Sequence, residues 1–543
     1  MTKSRNIIIG SIVTAALGAL FFVWAGPLPP RQLGASDGSP TTKAVIRGTI
    51  RSIDGNPLSG IRVKAKPEGK NFEVSIFTDG NGQYDFPPLP PGQYKVSVGS
   101  AWQEDVNLAS SGVSQNFKVQ LGPAFFNQTT GDRWLKHLPG SQGEKELLSR
   151  YCGWCHSTWR SVDRPQATLE AWKALIRRMD GDAIPWGGRG QLSPIDHEVL
   201  TNYMYKTFTP DLKEKLPEGV MIRPTGEAAR VVFTEWSIPP EFTSSAGAQG
   251  DSKGNIWFQL AGGTGNGRFG GVGRLDPRTG DMKTWRTTKY GFHDILLDKE
   301  DNVWLTGRGA IVKFNTKSYE FTNFDFPEKF GVQSHTIDFD HDGNGWFTIN
   351  DSENARGWVV KLDTRTGATE GFSVGRESEN PTRPAPYGIV VDQKGMVWFT
   401  EMRGNVLAKI DPKTGKLTEY RIPTFKSGPR RVQVDSKGRL WFTESHANKI
   451  AMFDPQTLKF SEFDLLPGGQ PYFIKVDPND RVWFNLTSGG VIGRFDPLTK
   501  QFTHFPFPVP EGKARDAGYI TTDPFSIVYG GEHAPVVGQM YVR

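Results

Sequence analysis

The chain contains two cysteines, and a histidine follows the second of them directly. They lie in the hexapeptide YCGWCH, as Cys152, Cys155 and His156, within a sequence of 543 residues. The spacing C-x-x-C-H is typical of covalent haem attachment, in which two thiols bond to the porphyrin and the adjacent histidine binds the iron. The sequence therefore predicts one haem c at this site.

Other roles of the cysteine pair agree less well with the sequence. A zinc site needs four soft or borderline ligands, and the chain has no second cysteine pair. A thioredoxin-like redox pair would need a βαβ context, which the surrounding sequence does not show. A structural disulfide stays open as an alternative, because exported proteins form disulfides.

The segment around the motif resembles the small class I type c cytochromes, and this resemblance implies a second axial ligand to the iron, for which Met179 is the best candidate. It follows the segment WKALIRR and precedes a glycine-rich turn. Met204 and His197 are rival candidates, and a plain core methionine is the structural alternative for Met179. Ligation by histidine and methionine leaves no open position on the iron, which favours single-electron transfer over chemistry at the metal.

Three helices are predicted around the motif, and each begins with a capping signal. Ser141 lies three residues before Glu144, Thr168 precedes the LEAW segment, and Ser193 precedes Pro194. These signals predict a compact helical unit that positions the cysteine motif.

Residues 141–212 resemble the small class I type c cytochromes. In that family an N-terminal helix leads into C-x-x-C-H, a later methionine binds the iron, and an aromatic C-terminal helix crosses the first. The resemblance implies the ligand role of Met179. Trp154, Trp172 and Tyr203 are expected to pack in the haem pocket or between the helices.

The sequence becomes repetitive from Arg230 onward. Six tryptophans, 42 to 52 residues apart, lie in near copies of D-x-x-G-x-hydrophobic-W-F-T: Trp257, Trp304, Trp346, Trp398, Trp441 and Trp483. A period of this length with four strand-like pieces is typical of a β-propeller. The strand-like segments 229–239 and 517–543 predict a closing blade, which gives seven blades, with six as the alternative.

This repeat resembles the streptogramin lyase (virginiamycin B lyase) propellers. Their units carry the strings V-D-x-x-G-x-V-W-F-T-E and K-I-D-P-x-T-G that occur at 391–415. The resemblance implies a Mg²⁺-assisted elimination with a histidine near a glutamate that faces the channel. The motif identifies the propeller type better than the reaction, because its residues mostly build turns and blade packing.

One repeat position is predicted to line the central channel. It lies eleven residues before each tryptophan and holds Ala246, His293, His335, Tyr387, Arg430 and Tyr472. Titratable and aromatic side chains at one end of the innermost strands predict a ligand pocket at the channel mouth. The alternative is a wet channel that merely tolerates such residues.

The position three residues after each tryptophan is the expected place for a glutamate partner. It holds Leu260, Gly307, Ile349, Glu401, Glu444 and Leu486. No single repeat carries both histidine and glutamate, so the lyase assignment fails within one blade, whereas His335 and Glu401 of neighbouring blades stay a candidate pair. The candidate catalytic residues are His293, His335, Tyr387, Arg430, Glu401 and Glu444.

The segment DHDGNGWFTIND imitates a calcium-binding loop. Asp340, Asp342, Asn344, Gly345 and Asp351 stand in the order of such a loop. The sister repeats read DSKGNIWF and DQKGMVWF, which favours an ordinary turn between strands.

The N-terminus has the pattern of an export signal. Lys3 and Arg5 precede an uncharged apolar run at 7–25, close to the roughly 20 residues that cross a bilayer. We predict an uncleaved membrane anchor, with cleavage after Ala25 as the alternative. Either outcome places the rest of the chain in the periplasm or otherwise outside the cytoplasm.

Residues 44–120 are predicted to form a small antiparallel β-sandwich, because alternating apolar residues are broken by DGN, DGNG and PPG turns. The strings G-x-P-L-x-G-x-x-V and T-D-x-x-G-x-Y-x-F resemble the carboxypeptidase regulatory-like domains. That family generally supplies structural or interaction modules, so no catalytic chemistry is expected here.

The composition agrees with a multidomain, mainly β protein. The 62 glycines and 38 prolines favour turns and short strands, and the net charge of +6 without a long basic run argues against nucleic acid as a partner. The predicted organisation is a signal segment 1–30, a linker 31–43, a β-sandwich 44–120, a linker 121–140, a cytochrome c domain 141–212, a linker 213–228 and a propeller 229–543.

These features predict an exported, membrane-anchored, mono-haem electron-transfer protein. Its propeller is expected to bind a redox protein partner or a small-molecule substrate. The alternative is an enzyme that uses the channel as its active site, either lyase-like or the haem-bearing subunit of a periplasmic dehydrogenase. Mg²⁺ is expected only for the lyase. A third hypothesis is a binding or sensing module without catalysis.

Overall fold

The computed structural model describes residues 44–99, 102–120, 137–152, 161, 165–178, 192–212, 224–245, 247–263, 267–350, 357–375, 384–465, 469–486, 490–508, 520–522, 526–530 and 535–543. The predicted export signal and several predicted site residues lie outside these segments. They are the run 7–25, Cys155, His156, Met179, Ala246 and Asp351.

The N-terminal unit consists of short strands in two sheets. They are β1 (Ile46–Ser52), β2 (Arg62–Pro67), β3 (Phe72–Phe77), β4 (Gln83–Asp85), β5 (Gly92–Val98), β6 (Trp102–Leu108), β7 (Val113–Ser114) and β8 (Phe117–Val119). One sheet has the order β4-β1-β7, with β8 also paired to β1, and the other contains β3-β2-β5-β6. In β5, Tyr94 and Val96 are buried whereas Lys95 between them is exposed. This alternation confirms the predicted β-sandwich.

The described helices are α1 (Gln142–Cys152), α2 (Leu169–Arg177) and α3 (Pro194–Thr207), with 3-10 turns at Gly226–Arg230 and Glu328–Phe330. The Ser141 backbone N–H donates to Glu144 Oε2 over 2.7 Å, and the Glu144 N–H donates back to Ser141 Oγ over 3.3 Å. Thr168 and Ser193 cap α2 and α3 in the same manner. The predicted helix starts are therefore confirmed.

The helices pack around a small apolar core that contains Leu148, Trp172, Leu200 and Met204. Met204 is only 2% exposed and packs in this core. His197 is partly exposed on α3. Among the described helices, none combines the length and the apolar character needed to cross a membrane.

The remaining strands follow residue 230. They are β9 (Val231–Ser237), β10 (Phe242–Ser244), β11 (Ala248–Gly250), β12 (Ile256–Gly262), β13 (Phe269–Leu275), β14 (Met282–Thr287), β15 (Ile295–Leu297), β16 (Val303–Thr306), β17 (Ala310–Phe314), β18 (Phe321–Asp325), β19 (Ser334–Phe339), β20 (Gly345–Ile349), β21 (Gly357–Leu362), β22 (Thr369–Val374), β23 (Pro386–Val391), β24 (Val397–Glu401), β25 (Val406–Ile410), β26 (Leu417–Arg421), β27 (Pro429–Val434), β28 (Leu440–Glu444), β29 (Lys449–Asp454), β30 (Lys459–Asp464), β31 (Pro471–Val476), β32 (Val482–Leu486), β33 (Val491–Asp496), β34 (Gln501–Pro506), β35 (Ile520–Thr522), β36 (Ile527–Gly530) and β37 (Val536–Val542).

Consecutive strands from β10 to β34 form antiparallel sheets that follow one another along the chain, as expected for a propeller-like fold. The innermost strands β11, β15, β19, β23, β27 and β31 contact their neighbours in this order, and β35 contacts both β31 and β11. β35 pairs with β36, β36 with β37 and β37 with β9, so the two ends of this region share one sheet. This pairing closes the region without leaving β9 and β37 as free edges.

Every repeat contains the same hydrogen bond between an aspartate and its tryptophan. The aspartate carboxylate accepts from the indole Nε1 six residues later, over 2.8 to 2.9 Å, in the pairs Asp251–Trp257, Asp298–Trp304, Asp340–Trp346, Asp392–Trp398, Asp435–Trp441 and Asp477–Trp483. Asp340 also accepts from the backbone N–H groups of Asp342 and Asn344. The segment that imitates a calcium loop thus forms the same turn as its sister repeats.

The sandwich and the propeller region share a continuous sheet, which the sequence-based division into separate units did not predict. β3 pairs antiparallel with β9, and Phe72 lies opposite Trp236. The sheet then has the order β35-β36-β37-β9-β3-β2-β5-β6. Val232 of β9 is fully buried within the sandwich core. Pairing with β3 satisfies the backbone N–H and C=O groups on the outer edge of β9.

Candidate functional site

The described side chains of the predicted channel position converge at the centre of the propeller region. His335, Tyr387, Arg430 and Tyr472 are the second residues of innermost strands, and His293 precedes β15 by two residues. We call these five residues the ring. Ala246 of the same repeat position lies outside the described residues.

A backbone irregularity turns the ring residues toward the axis. In the sheet that contains His335, Ser334 pairs with Ile349 and Ile337 pairs with Phe347, so one extra residue is inserted in β19. The same β-bulge recurs at Tyr387, Arg430 and Tyr472. A bulge of this kind re-aims side chains, and here the two residues inside it lack a regular partner.

Threonines of the W-F-T motif and its variant W-L-T bind the bulge of their own sheet and the ring residue of the next sheet. Thr348 Oγ1 accepts from the Thr336 N–H over 3.2 Å and donates to the Tyr387 carbonyl over 2.7 Å. Thr306 makes the corresponding bond to the carbonyl of His335, at 2.8 Å. The repeated threonine therefore positions the ring residue of the next sheet, a role that sequence reasoning missed although the motif displays the residue in most repeats.

The ring side chains form one continuous set of contacts. The ring centroids of His293 and His335 are 3.8 Å apart, and those of His335 and Tyr387 are 3.7 Å apart. The Tyr387 hydroxyl donates to the Tyr472 hydroxyl over 2.9 Å, which lies 3.2 Å from His293 Nε2. The Arg430 guanidinium stacks above the ring of Tyr472 at 4.7 Å. These contacts bring the described residues of the repeat position together, and the ligand pocket predicted there stays a prediction.

The ring offers neutral hydrogen-bonding groups. Burial lowers the pKa of His293 and of His335 well below the usual value, and the positive charge of Arg431 lowers both further. Burial also raises the pKa of Tyr387 well above its usual value. Both imidazoles and the phenol are therefore uncharged near neutral pH.

The imidazole Nε2 of His335 has no hydrogen-bond partner among the described residues. His335 Nδ1 lies 2.9 Å from Thr336 Oγ1 and 3.2 Å from the Tyr387 carbonyl, whereas Nε2 has no partner. The residue is 2% exposed. Buried polar atoms are normally hydrogen-bonded, so this nitrogen could be satisfied by a bound ligand or a water.

A charged layer lies next to the ring and was not predicted. Arg431 Nη1 is 3.1 Å from Asp294 Oδ2 and donates to Thr336 Oγ1 over 2.9 Å. These residues follow Arg430, His293 and His335 directly in the chain, so the signal was the residue after each ring position. The pairing of arginine with aspartate neutralises both charges in a buried place.

A cavity of about 110 Å³ continues along the channel, lined in part by Asp294, Arg431, Asp338 and Lys475. Burial raises the pKa of Asp338 to about 6, against the hydrogen bonds that its carboxylate accepts from Val391 and Phe339 N–H groups. Burial also lowers the pKa of Lys475. The channel beyond the ring is therefore polar and suits water or a small polar molecule.

The two candidate glutamates lie apart from the ring. Glu401 is next to Glu419 and Glu444 is next to Glu462, and burial followed by the neighbouring carboxylate raises the pKa of Glu401 well above its usual value and that of Glu444 to about 8. Among the described residues, the polar and ring contacts of His335 do not include Glu401. The structure thus does not form the candidate pair of His335 with Glu401, because Glu401 ends the second strand of its sheet and faces the outer strand.

The ring does not fit the Mg²⁺ site that the lyase resemblance implies. No group of three or more histidine, cysteine, aspartate or glutamate side chains comes together within the described segments. Mg²⁺ prefers oxygen ligands from carboxylates, and the nearest carboxylate layer is the Asp294 side chain bound to Arg431.

The helical unit has two features that suit a covalently attached haem. Cys152 is the last residue of α1, so the motif begins where the helix ends. The indole Nε1 of Trp172 is buried without a hydrogen-bond acceptor among the described residues. A carboxylate of a bound group could satisfy that donor.

Comparisons with known proteins agree with two of the predicted resemblances. A model of the virginiamycin B lyase family matches residues 373–524, and a model of the carboxypeptidase regulatory-like domain matches residues 45–121. None of the curated proteins matches the chain.

Solved structures of lyases are similar in fold. A catalytically inactive His-to-Ala variant of virginiamycin B lyase from Staphylococcus aureus, with quinupristin, is 20% identical with a TM-score of 0.50, and the match covers 58% of this chain and 100% of that chain. A streptogramin B lyase is 21% identical with a TM-score of 0.50, covering 59% and 100%. At these identities the likeness shows a lyase-like propeller fold and does not assign an activity to this chain.

Proposed function

We propose that this chain is an extracytoplasmic haem c protein that transfers single electrons, with a propeller that binds a small molecule or a redox partner at the ring. The motif at Cys152, Cys155 and His156 carries the proposal, since its residue types and spacing suit covalent haem attachment. The two thiols of Cys152 and Cys155 would hold the group, and His156 and Met179 would bind its iron. When bound, the haem supplies a one-electron carrier.

The helical unit supports this assignment through its own residues. Trp172 provides a buried donor without an acceptor among the described residues. The caps at Ser141, Thr168 and Ser193 fix where the helices begin, and the apolar core around Leu200 holds them together. A compact scaffold of this kind limits reorganisation around a carrier.

The propeller would have seven blades, with β35, β36, β37 and β9 as the closing blade. The contacts of β35 with β31 and β11 support this count. The ring would bind a ligand through neutral donors and acceptors, with the unpartnered nitrogen of His335 as one contact. The apolar run at 7–25 would anchor the chain in the membrane.

The reduction potential tests the electron-transfer proposal. The full chain, produced with cytochrome maturation machinery, is expected to be reduced and reoxidised reversibly in spectroelectrochemistry. Met179→Leu should lower the potential, because a methionine ligand raises it. Met204→Leu is the matched control, since Met204 packs in the helical core and its replacement should leave the potential unchanged. An unchanged potential in Met179→Leu contradicts the ligand assignment.

A lyase-like elimination is the second candidate, favoured by the contact between His293 and His335 and by the fold. The substrate to test is quinupristin, which the inactive lyase variant was solved with, in the presence and in the absence of Mg²⁺. Turnover that disappears in His293→Ala and His335→Ala would support this candidate. Absence of turnover by the unmodified protein, or full activity of both variants, counts against it.

A further inference from the structure

A cleft of about 680 Å³ lies between the sandwich and the closing sheet of the propeller region. One wall consists of residues from β1, β4 and β7. The other consists of the 3-10 turn Gly226–Arg230 and Arg543. Ligand sites occur preferentially where two units meet, and a volume of this size is ordinary for a small-molecule or short-chain ligand.

Three exposed arginines converge in this cleft. The Arg543 backbone N–H donates to the Arg230 carbonyl over 3.1 Å, and its guanidinium donates to the carbonyl of Asp85. Asp85 lies directly opposite Arg47 in the pairing of β1 with β4. Arg47, Arg230 and Arg543 are therefore neighbours.

Asp79 and Asp85 line the cleft and Glu227 lies near Arg230, but none of these carboxylates is within ion-pair distance of the three arginines. Among the described residues, Arg47, Arg230 and Arg543 form no ion pair within 4.0 Å. Asp79 is held in its own turn, where it accepts from the N–H groups of Asn81 and Gln83. Guanidinium groups recognise carboxylates through paired hydrogen bonds, so the cleft favours a ligand with acidic groups.

The lining also contributes uncharged polar side chains. It includes Ser59, Gln83, Ser114, Asn116 and Thr225, whereas the aromatic side chains of Phe77 and Tyr84 are almost fully buried. Hydroxyl and amide groups pair with ligand hydroxyls, so the cleft can hold a ligand that carries hydroxyls beside its acidic groups.

We propose that this cleft binds a short acidic oligosaccharide, a sugar chain that carries carboxylates, with Arg47 and Arg230 on its acidic groups. The shared sheet of β3 and β9 holds the two walls at a fixed distance, so the cleft is preformed and pays little ordering cost on binding. This inference is independent of the haem and of the ring.

Isothermal titration of the full chain with oligogalacturonate tests the proposal, with a neutral glucose oligomer of equal length and a poly-glutamate peptide as comparisons. The acidic sugar is expected to bind, and binding should weaken as salt is added. Arg47→Gln and Arg230→Gln should each weaken it about tenfold or more. Arg421→Gln is the matched control, because Arg421 is an exposed arginine on β26 outside the cleft.

Several results would overturn the assignment. Equal binding of the neutral sugar, tighter binding of poly-glutamate, or absence of binding at millimolar ligand each contradicts an acidic sugar as the occupant. Unchanged affinity in both cleft variants also contradicts it. If a variant does not unfold on heating as the unmodified protein does, free uronate is tested as a competitor of oligogalacturonate on the unmodified chain. Displacement of oligogalacturonate by uronate is expected, and its absence contradicts the proposal.

Discussion

Single hydroxyl groups hold the ring in place. The bulge in β19 leaves backbone groups that the regular ladder cannot satisfy. Thr348 of the same sheet accepts from the Thr336 N–H inside this bulge and donates to the Tyr387 carbonyl of the next sheet. Thr348 is fully buried, so its hydroxyl has no access to water as a substitute. The ring geometry therefore depends on residues that never touch a ligand.

Replacement of Thr348 by valine tests this role. Thr348→Val keeps the shape but leaves the Thr336 N–H without its partner, so we expect a loss of about 1–3 kcal/mol in the free energy of unfolding. Chemical denaturation measures the change. Thr322→Val on the exposed side of β18 is the control and should have little effect. Equal losses in the two variants would contradict the role of the hydroxyl.

Glu444 predicts a pH dependence of stability. Burial, with the nearby Glu462, raises the pKa of Glu444 from 4.5 to about 8. Between these values the folded protein keeps a proton that the unfolded chain releases, so the contribution of Glu444 to the free energy of unfolding falls as pH rises from 4.5 to about 8.

Glu444→Gln should remove that contribution, so the variant loses less stability than the unmodified protein over the same pH interval. Denaturation curves at several pH values provide the comparison. Glu370→Gln, at an exposed glutamate on β22, is the control and should keep the original slope. Parallel pH profiles for Glu444→Gln and the unmodified protein would disprove the assignment.

Three repeats place a residue other than glycine, Tyr319, Leu458 or Lys500, at a turn position with positive φ. The turn after the third strand of each sheet places a residue at positive φ, and Gly280, Gly367 and Gly415 occupy it in three repeats. Leu458 takes the same position with φ 57° and is 57% exposed. A side chain in this backbone region is strained, and little packing compensates it here.

Leu458→Gly should therefore raise the free energy of unfolding by about 1 kcal/mol. The melting temperature and the denaturation midpoint measure the gain. Lys459→Gly, in the adjoining strand β30, should instead destabilise the protein because glycine weakens a strand. A loss of stability in Leu458→Gly would show that the leucine makes a favourable contact.

Local patterns made much of the fold predictable. The aspartate and tryptophan of each repeat signal their own turn and strand, and the caps at Ser141, Thr168 and Ser193 signal their own helices. The ring position could be found because the repeat period carries one register into every sheet. Three features could not be predicted: the bulges, the contact between Glu444 and Glu462, and the pairing of β3 with β9. They join residues that carry no local signal of each other, such as Phe72 and Trp236.

At the scale of the whole molecule, one sheet of the sandwich continues the sheet that closes the propeller region. Val232 and Tyr541 contribute to the sandwich core, and Phe77 contributes to the core of the closing sheet. Glu73 lies opposite Glu235 across the junction, and its Oε1 is 3.6 Å from Nη2 of Arg62 in β2. Backbone pairing and shared cores together predict that the two units unfold as one.

Hydrogen exchange measures this coupling. Amides in β3 and β9 are expected to exchange as slowly as those in β37, because opening the junction requires breaking a shared core. Rapid exchange confined to β3, with slow exchange in β37, would show that the sandwich opens separately. In that case the cleft between the units would not be preformed.

The most direct measurement concerns the two thiols of the motif. The full chain is produced with cytochrome maturation machinery, extracted under acid conditions that remove non-covalent haem, and analysed by absorption and intact mass. We predict one haem per chain that survives extraction in the unmodified protein and is lost when Cys152 and Cys155 are both changed to alanine. Two free thiols, or a disulfide between them, in a chain without haem would contradict the account.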